Sequence, residues 1–230
     1  MPLSSLTLPP SEPGTAPEAL VVILHGWGSN AEDIAGLVPS LSALKHCWVN
    51  VPNGPLAHPY NPVGHMWYDL EDPQWPGLEA SKTQLAEHLT QLSQSKGIPF
   101  SNLFILGFSQ GGAMALDLGL SLAGAGIGVF SGYLHPALLA AAPLGTPMPP
   151  ILLIHGLDDG IVPFRAAEQT RQFLESCGAA FDFHALSMGH EITPEALGVA
   201  NRWLLQHWGS QDISQENRQE NRQENRQENR

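Results

Sequence analysis

Segments typical of buried strands alternate with segments typical of helices along most of this 230-residue chain. Residues 19–24 form a continuous apolar run, as expected for a strand covered on both faces. Residues 77–95 instead carry leucines at helical spacing. This alternation predicts an α/β fold with a mostly parallel central sheet and helices on both faces. The predicted strands are residues 19–24, 47–51, 103–106, 126–130, 151–154 and 180–186, and the predicted helices are residues 31–45, 77–95, 110–122, 164–175 and 194–207.

The two ends of the chain differ in composition from the segment between them. Residues 1–18 contain five prolines, which disfavour a helix and favour an extended arm or an edge strand. Residues 215–230 repeat Gln-Glu-Asn-Arg four times, and a helix there would stack like charges. We therefore predict a Pro-rich arm over 1–18, one domain over 19–209 and a disordered low-complexity tail over 210–230.

The charge balance excludes several classes of partner. The chain has 22 acidic and 10 basic residues, a formal net charge of −12, so we expect it to bind neither nucleic acid nor anionic lipid surfaces.

No signal-peptide pattern is present and no apolar stretch approaches the ~20 residues of a membrane span. We therefore expect a cytoplasmic protein without stable membrane insertion. Its two cysteines provide no disulfide framework, and the oligomeric state stays open.

A G-x-S-x-G pattern follows the predicted strand 103–106 and precedes a predicted helix. In such sheets, chemistry gathers in the loops beyond the carboxyl ends of the strands. The pattern spans Gly107–Gly111, where the glycines leave room for a tight turn that exposes the serine above the sheet. An ordinary strand-to-helix turn is the alternative, but the flanking apolar strand and Ala-rich helix favour Ser109 as a nucleophile.

A serine nucleophile needs a base, usually histidine, and a carboxylate that orients the base. Of the ten histidines, His190 combines a position just after a predicted strand with the chain order Ser, Asp, His. The loop after strand 151–154 offers both Asp158 and Asp159, and spacing alone does not choose between them. The candidate base is therefore His190, with either aspartate as its partner.

Two backbone N–H groups are candidates for binding an oxyanion. The loop after the first apolar run contains Trp27 between two glycines, which lets its N–H point into the site. The second candidate is the N–H of Gln110, the residue after the predicted nucleophile. His190-Glu191 lacks the second histidine of a zinc H-E-x-x-H motif, and no phosphate-binding glycine motif is found. We therefore expect neither a metal nor a cofactor.

These motifs together resemble one enzyme family. With Trp67-Tyr68-Asp69 and Phe130–Leu134, they are similar to the small carboxylesterase, lysophospholipase and acyl-protein thioesterase family of α/β-hydrolases. The resemblance extends over residues 20–205 and implies the α/β-hydrolase fold. It also implies Asp159 as the catalytic carboxylate and Trp27 and Gln110 as the oxyanion donors.

The expected activity is hydrolysis of carboxylic esters or thioesters through an acyl-enzyme. The resemblance implies small acyl esters or thioesters as substrates, with acylated proteins and lysolipids among the candidates. Met66, Trp67 and Leu70 lie in a Pro-rich loop that we expect to cover the acyl site, although core packing explains Trp67 and Leu70 equally well. Two alternative functions remain: a small-metabolite ester or lactone hydrolase, and a non-catalytic ligand-binding protein on a hydrolase scaffold.

Overall fold

The computed structural model describes residues 3–12, 19–122, 124–139 and 148–208. The predicted tail over 210–230 lies outside the described residues, so the domain boundaries stay predictions. The strands are β1 Ser5–Leu8, β2 Leu20–Leu24, β3 Trp48–Pro52, β4 Leu56–Ala57, β5 His65–Met66, β6 Leu103–Phe108, β7 Gly126–Phe130, β8 Ile151–Gly156 and β9 Phe181–Leu186. The α-helices are α1 Ala31–Ala35, α2 Leu78–Lys96, α3 Gln110–Ser121, α4 Pro136–Leu139, α5 Phe164–Ser176 and α6 Pro194–Trp208.

Seven strands form one sheet in the order β1-β3-β2-β6-β7-β8-β9. Strands β2, β3 and β6 to β9 are parallel, whereas β1 pairs antiparallel with β3 at one edge. Residues of the Pro-rich arm thus form an edge strand, one of the two structures that its prolines favour. The short strands β4 and β5 make a separate antiparallel pair.

Both faces of the sheet are covered, as the continuous apolar strands predict. Along β2, Leu20 and Val22 pack into one apolar cluster and Val21 into the other. Helices α2, α3 and α5 contribute to the first cluster, while α1 and α6 contribute to the second. The predicted fold class, a mostly parallel central sheet with helices on both faces, is confirmed.

The predicted helix over 31–45 is wrong as a continuous element. Helix α1 ends at Ala35, and two 3₁₀ turns, Val38–Ser40 and Ser42–His46, follow it. Pro39 has no N–H to donate to the Ala35 carbonyl, so a regular α-helix cannot continue through it. Leu41 between the two turns has φ −106° and ψ 88°, which no helix allows. The segment after α1 therefore forms two short turns instead of a continuous helix.

Candidate active site

The predicted nucleophile lies on a strained turn between β6 and α3. Ser109 has φ 54° and ψ −118°, and its N–H donates to the Phe130 carbonyl at 2.8 Å. A Cβ on Gly107 would overlap the Gly111 carbonyl, and one on Gly111 would overlap the Leu24 carbonyl. Side chains are thus excluded on both sides of the turn, and backbone strain of this kind is characteristic of functional sites.

Ser109, His190 and Asp159 form a continuous hydrogen-bonded chain. The Ser109 Oγ lies 2.9 Å from His190 Nε2, and His190 Nδ1 lies 2.8 Å from Asp159 Oδ2. Asp158, the alternative carboxylate, is exposed, and its backbone N–H donates to the Met188 carbonyl. The structure therefore brings Asp159, and not Asp158, against the imidazole.

The buried Asp159 carboxylate is held in its ionised form. Its Oδ1 accepts the backbone N–H groups of Ile161 and Val162 at 2.9 and 2.8 Å. Burial acts to raise the pKa of Asp159, but the hydrogen bonds from His190, Val162 and Ile161 outweigh burial and hold this pKa below its usual value. A negative charge therefore faces His190 Nδ1 and fixes the proton on that nitrogen.

The loop that carries Trp27 lies beside the nucleophile. A Cβ on Gly26 would stand 3.4 Å from the Ser109 Cβ, so the two turns are in contact. Gly28 adopts φ 80°, and its N–H donates to the His65 carbonyl at 2.9 Å. Gln110 is the first residue of α3, where a backbone N–H has no partner within the helix. Both predicted oxyanion donors thus belong to the turns that border Ser109.

The Gln110 side chain has a role that sequence reasoning missed. Its Oε1 accepts the Trp67 backbone N–H at 2.9 Å, and its Nε2 donates to the Tyr68 carbonyl at 2.7 Å. The Trp67 indole in turn donates to the His25 carbonyl at 3.0 Å. These bonds fix the segment 67–68 to the nucleophile turn. No spacing rule connects residues so far apart in the chain, so the sequence carried no signal for them.

His155 is a second residue that the sequence did not single out. It is buried at the end of β8, and its Nε2 donates to the Val162 carbonyl at 2.8 Å while lying 3.6 Å from Asp159 Oδ2. Burial is the main cause that lowers the pKa of His155. A neutral His155 thus supports the loop that supplies the N–H groups to Asp159.

The three predicted substrate-contacting residues differ in their surroundings. Trp67 is completely buried and packs against the His25 ring, so the structure favours the core-packing explanation for it. Met66 is buried in β5, and Leu70 is 36% exposed. Contact of Met66, Trp67 or Leu70 with an acyl chain stays a prediction.

Neither Cys47 nor Cys177 forms a disulfide, and both are buried. Within residues 3–12, 19–122, 124–139 and 148–208, no three His, Cys, Asp or Glu side chains are grouped as metal ligands. Over the same described ranges, no helix has both the length and the apolar character needed to cross a bilayer.

Comparison with known proteins shows which family the chain belongs to. The model of the phospholipase/carboxylesterase family matches residues 11–208. A probable carboxylesterase of Oryza sativa subsp. japonica is 28% identical over 82% of this chain and 77% of its own length. Acyl-protein thioesterase 1 of Neurospora crassa is 28% identical over 82% of this chain and 86% of its own. The crystal structure of esterase PE8 superposes with a TM-score of 0.81 at 31% identity and covers 90% of this chain and 99% of its own.

The family match covers strands β2 to β9, the helices on both faces and all three residues of the Ser109–His190–Asp159 chain, whereas the edge strand β1 precedes it. The relatives named above are a carboxylesterase, a thioesterase and an esterase. The chain therefore belongs to the phospholipase/carboxylesterase family of α/β-hydrolases and is a serine ester hydrolase.

Proposed function

We propose that this protein hydrolyses small carboxylic esters or thioesters through a Ser109–His190–Asp159 triad and an acyl-enzyme. The observation that carries the proposal is the unbroken chain of hydrogen bonds, 2.9 and 2.8 Å long, from the serine hydroxyl to a buried carboxylate. The relatives named as carboxylesterases and acyl-protein thioesterases support acyl esters and thioesters as the substrate class.

In the acylation step, His190 Nε2 takes the Ser109 proton as the serine oxygen attacks the acyl carbonyl carbon. Asp159 stabilises the positively charged imidazolium that forms. The developing oxyanion accepts hydrogen bonds from the N–H groups of Trp27 and Gln110. The carbon–oxygen or carbon–sulfur bond then breaks, and the alcohol or thiol leaves with the proton from His190.

Deacylation repeats these steps with water as the nucleophile. His190 takes a proton from water, whose oxygen attacks the acyl carbon of the Ser109 ester. The intermediate collapses, the acid is released, and Ser109 regains its proton. The strained turn keeps the Ser109 oxygen at the tip of α3 through both halves of the cycle.

The test is hydrolysis of p-nitrophenyl esters from acetate to palmitate by the wild type and the Ser109→Ala variant. We expect wild-type turnover with a preferred chain length, and near-complete loss of turnover in Ser109→Ala with an unchanged unfolding midpoint. A fluorophosphonate should label the wild type and not the variant. Ser95→Ala, an exposed serine on α2, is the matched control and should retain turnover. Turnover that survives in Ser109→Ala would contradict the proposal.

A further inference from the structure

A second chain of polar side chains lies beside the proposed triad. Asp117 Oδ2 is 2.6 Å from His135 Nδ1, and His135 Nε2 is 2.9 Å from the Tyr68 hydroxyl. The Tyr68 hydroxyl is 2.6 Å from that of Tyr133. At the other end, Lys82 Nζ lies 3.1 Å from the same Asp117 oxygen. The arrangement is thus an Asp–His pair that ends on two tyrosine hydroxyls.

The interior of this polar chain is inaccessible, and Tyr133 is its partly open end. Tyr68 and His135 are completely buried, and Asp117 is nearly so, whereas Tyr133 is half-buried. Tyr133 follows the carboxyl end of β7, the edge of the sheet at which Ser109 follows β6. A Cβ on Gly112 would lie 3.2 Å from the Gly132 Cα, so the segment before Tyr133 touches the first turn after Ser109.

The protonation of each group determines which one donates in each hydrogen bond of this polar chain. Burial raises the pKa of Tyr133 to about 12 and raises that of Tyr68 further, so each hydroxyl keeps its one proton. Burial acts to raise the pKa of Asp117, but the bonds from His135 and Lys82 hold it below its usual value. Because the Asp117 carboxylate can only accept a hydrogen bond, we assign the His135 proton to Nδ1, and this tautomer leaves Nε2 to accept from Tyr68.

It follows that Tyr68 donates to His135 and Tyr133 donates to Tyr68. The Tyr133 hydroxyl donates its one proton to Tyr68. Toward any other group, its oxygen can therefore only accept a hydrogen bond. Tyr133 therefore cannot stabilise an oxyanion, which needs a donor. It also has no partner on an acyl chain, which carries no polar hydrogen.

We propose that the Tyr133 hydroxyl accepts a hydrogen bond from the alcohol or thiol portion of the substrate, with Tyr68, His135 and Asp117 as positioning residues. This inference rests on the proposed esterase function and narrows its substrate class. The favoured substrates are esters or thioesters whose leaving group carries an O–H or N–H near the scissile bond.

The test compares two octanoate esters that differ in one hydrogen-bond donor, 2-hydroxyethyl octanoate and 2-methoxyethyl octanoate. We expect the wild-type kcat/KM to favour the hydroxyethyl ester about tenfold, the effect of one neutral hydrogen bond. In Tyr133→Phe this preference should fall to within about twofold. Tyr68→Phe removes the group to which Tyr133 donates. The Tyr133 hydroxyl could then donate to the methoxy oxygen as well, so the preference should also fall. Ser95→Ala, the exposed serine on α2, is again the control and should keep the wild-type preference.

Several outcomes would overturn the inference. The first is an equal wild-type kcat/KM for the two esters. The second is an unchanged preference for the hydroxyethyl ester in Tyr133→Phe. The third is a decrease in kcat/KM in Tyr133→Phe that is the same for both esters. The last would mean that Tyr133 only supports the fold. Should Tyr68→Phe not fold, Tyr133→Phe decides alone. If the wild type hydrolyses p-nitrophenyl esters but neither octanoate ester, the inference is overturned and the proposed function still holds. If Ser109→Ala retains turnover of p-nitrophenyl esters, the proposed function itself is rejected.

Discussion

Two adjacent aspartates after β8 have opposite surroundings. Asp158 is exposed, whereas Asp159 is buried and accepts hydrogen bonds from His190 and two backbone N–H groups. An ionised carboxylate at the second position fixes the His190 tautomer, and an amide there would allow the wrong one. The difference between the two positions therefore has a direct kinetic consequence.

Asp159→Asn should lower kcat by about 10⁴-fold, the scale of loss when a triad carboxylate becomes an amide. Asp158→Asn, its matched control, should stay within about twofold of the wild type because an exposed side chain with no bond to His190 contributes little. Steady-state kinetics on a p-nitrophenyl ester measures both. Equal losses, or a larger loss in Asp158→Asn, would contradict the assignment of the carboxylate.

We expect His25 to make the stability of the fold depend on pH. Its Nδ1–H donates to the Gly26 carbonyl at 2.7 Å, and its Nε2 accepts the Gly54 N–H at 2.9 Å, so both sides fit only the neutral imidazole. Burial is the main cause that lowers the pKa of His25 to about 4. The unfolded chain binds this proton near pH 6.5, so the free energy of unfolding should decrease as pH falls from 6.5 to 4, by up to about 3 kcal/mol from this residue.

Urea unfolding at pH 7 and pH 4.5 measures this dependence. We expect the decrease between the two pH values to be smaller in His25→Gln, which cannot titrate, by about 2 kcal/mol or more. Comparing each protein with itself at two pH values removes the constant cost of the substitution. A variant with the full wild-type decrease would show that His25 does not carry the effect.

At the level of elements, the nucleophile turn depends on the absence of side chains. Gly111→Ala would place a methyl group onto the carbonyls of Leu24 and His25, which belong to the backbone of β2 and its loop and cannot move aside cheaply. We expect a loss of about 3 kcal/mol in the free energy of unfolding and a loss of esterase turnover. Urea unfolding and p-nitrophenyl ester hydrolysis measure the two effects.

Gly160→Ala is the control for this prediction. Gly160 lies next to Asp159, but a Cβ there meets nothing within 4 Å. Its replacement should change the free energy of unfolding by less than about 0.5 kcal/mol. If both alanine variants were equally stable, the steric argument for the turn would be wrong.

The elements differ in how far their sequences determined them. The strand predicted over 126–130 matches β7 residue for residue, because an apolar run between turn signals has few alternatives. The continuous helix predicted over 31–45 is wrong, because Pro39 has no N–H for the helical hydrogen bond and Leu41 leaves the helical conformation. Patterns of apolar residues thus predicted the strands of the sheet well. They did not predict where a helix ends and turns begin.

At the level of the whole molecule, the parallel sheet explains which site residues were predictable. Ser109, Asp159 and His190 each follow a strand, and parallel strands bring their carboxyl ends to one edge. Tyr68, Asp117 and His135 follow no such rule, because they meet only through packing between α3 and loops far apart in the chain. Spacing likewise did not choose between the adjacent Asp158 and Asp159; the family resemblance implied Asp159, and in the structure Asp159 is the one that lies against His190.

Removal of residues 215–230 should leave the rest of the molecule unchanged. The four Gln-Glu-Asn-Arg repeats hold four glutamates and four arginines, so the truncated chain keeps a net charge of −12, and the repeats offer no apolar residue to bury. We expect kcat/KM and the urea midpoint of the truncated protein to equal those of the full chain. A clear change in either would assign the repeats a role in activity or folding.

The bond pair made by the Gln110 side chain limits how specificity can be redesigned. Because Gln110 holds the backbone of Trp67 and Tyr68, a shift of that segment would also shift the residue whose N–H borders Ser109. Loop grafts intended to change substrate preference should therefore be joined on either side of residues 67–68 and leave that dipeptide in place. A library that varies 69–74 would change the surface next to this dipeptide. Residues 55–65 should be kept, because the Asn61 side chain and the His65 carbonyl bond the Gly28 backbone in the loop that carries Trp27.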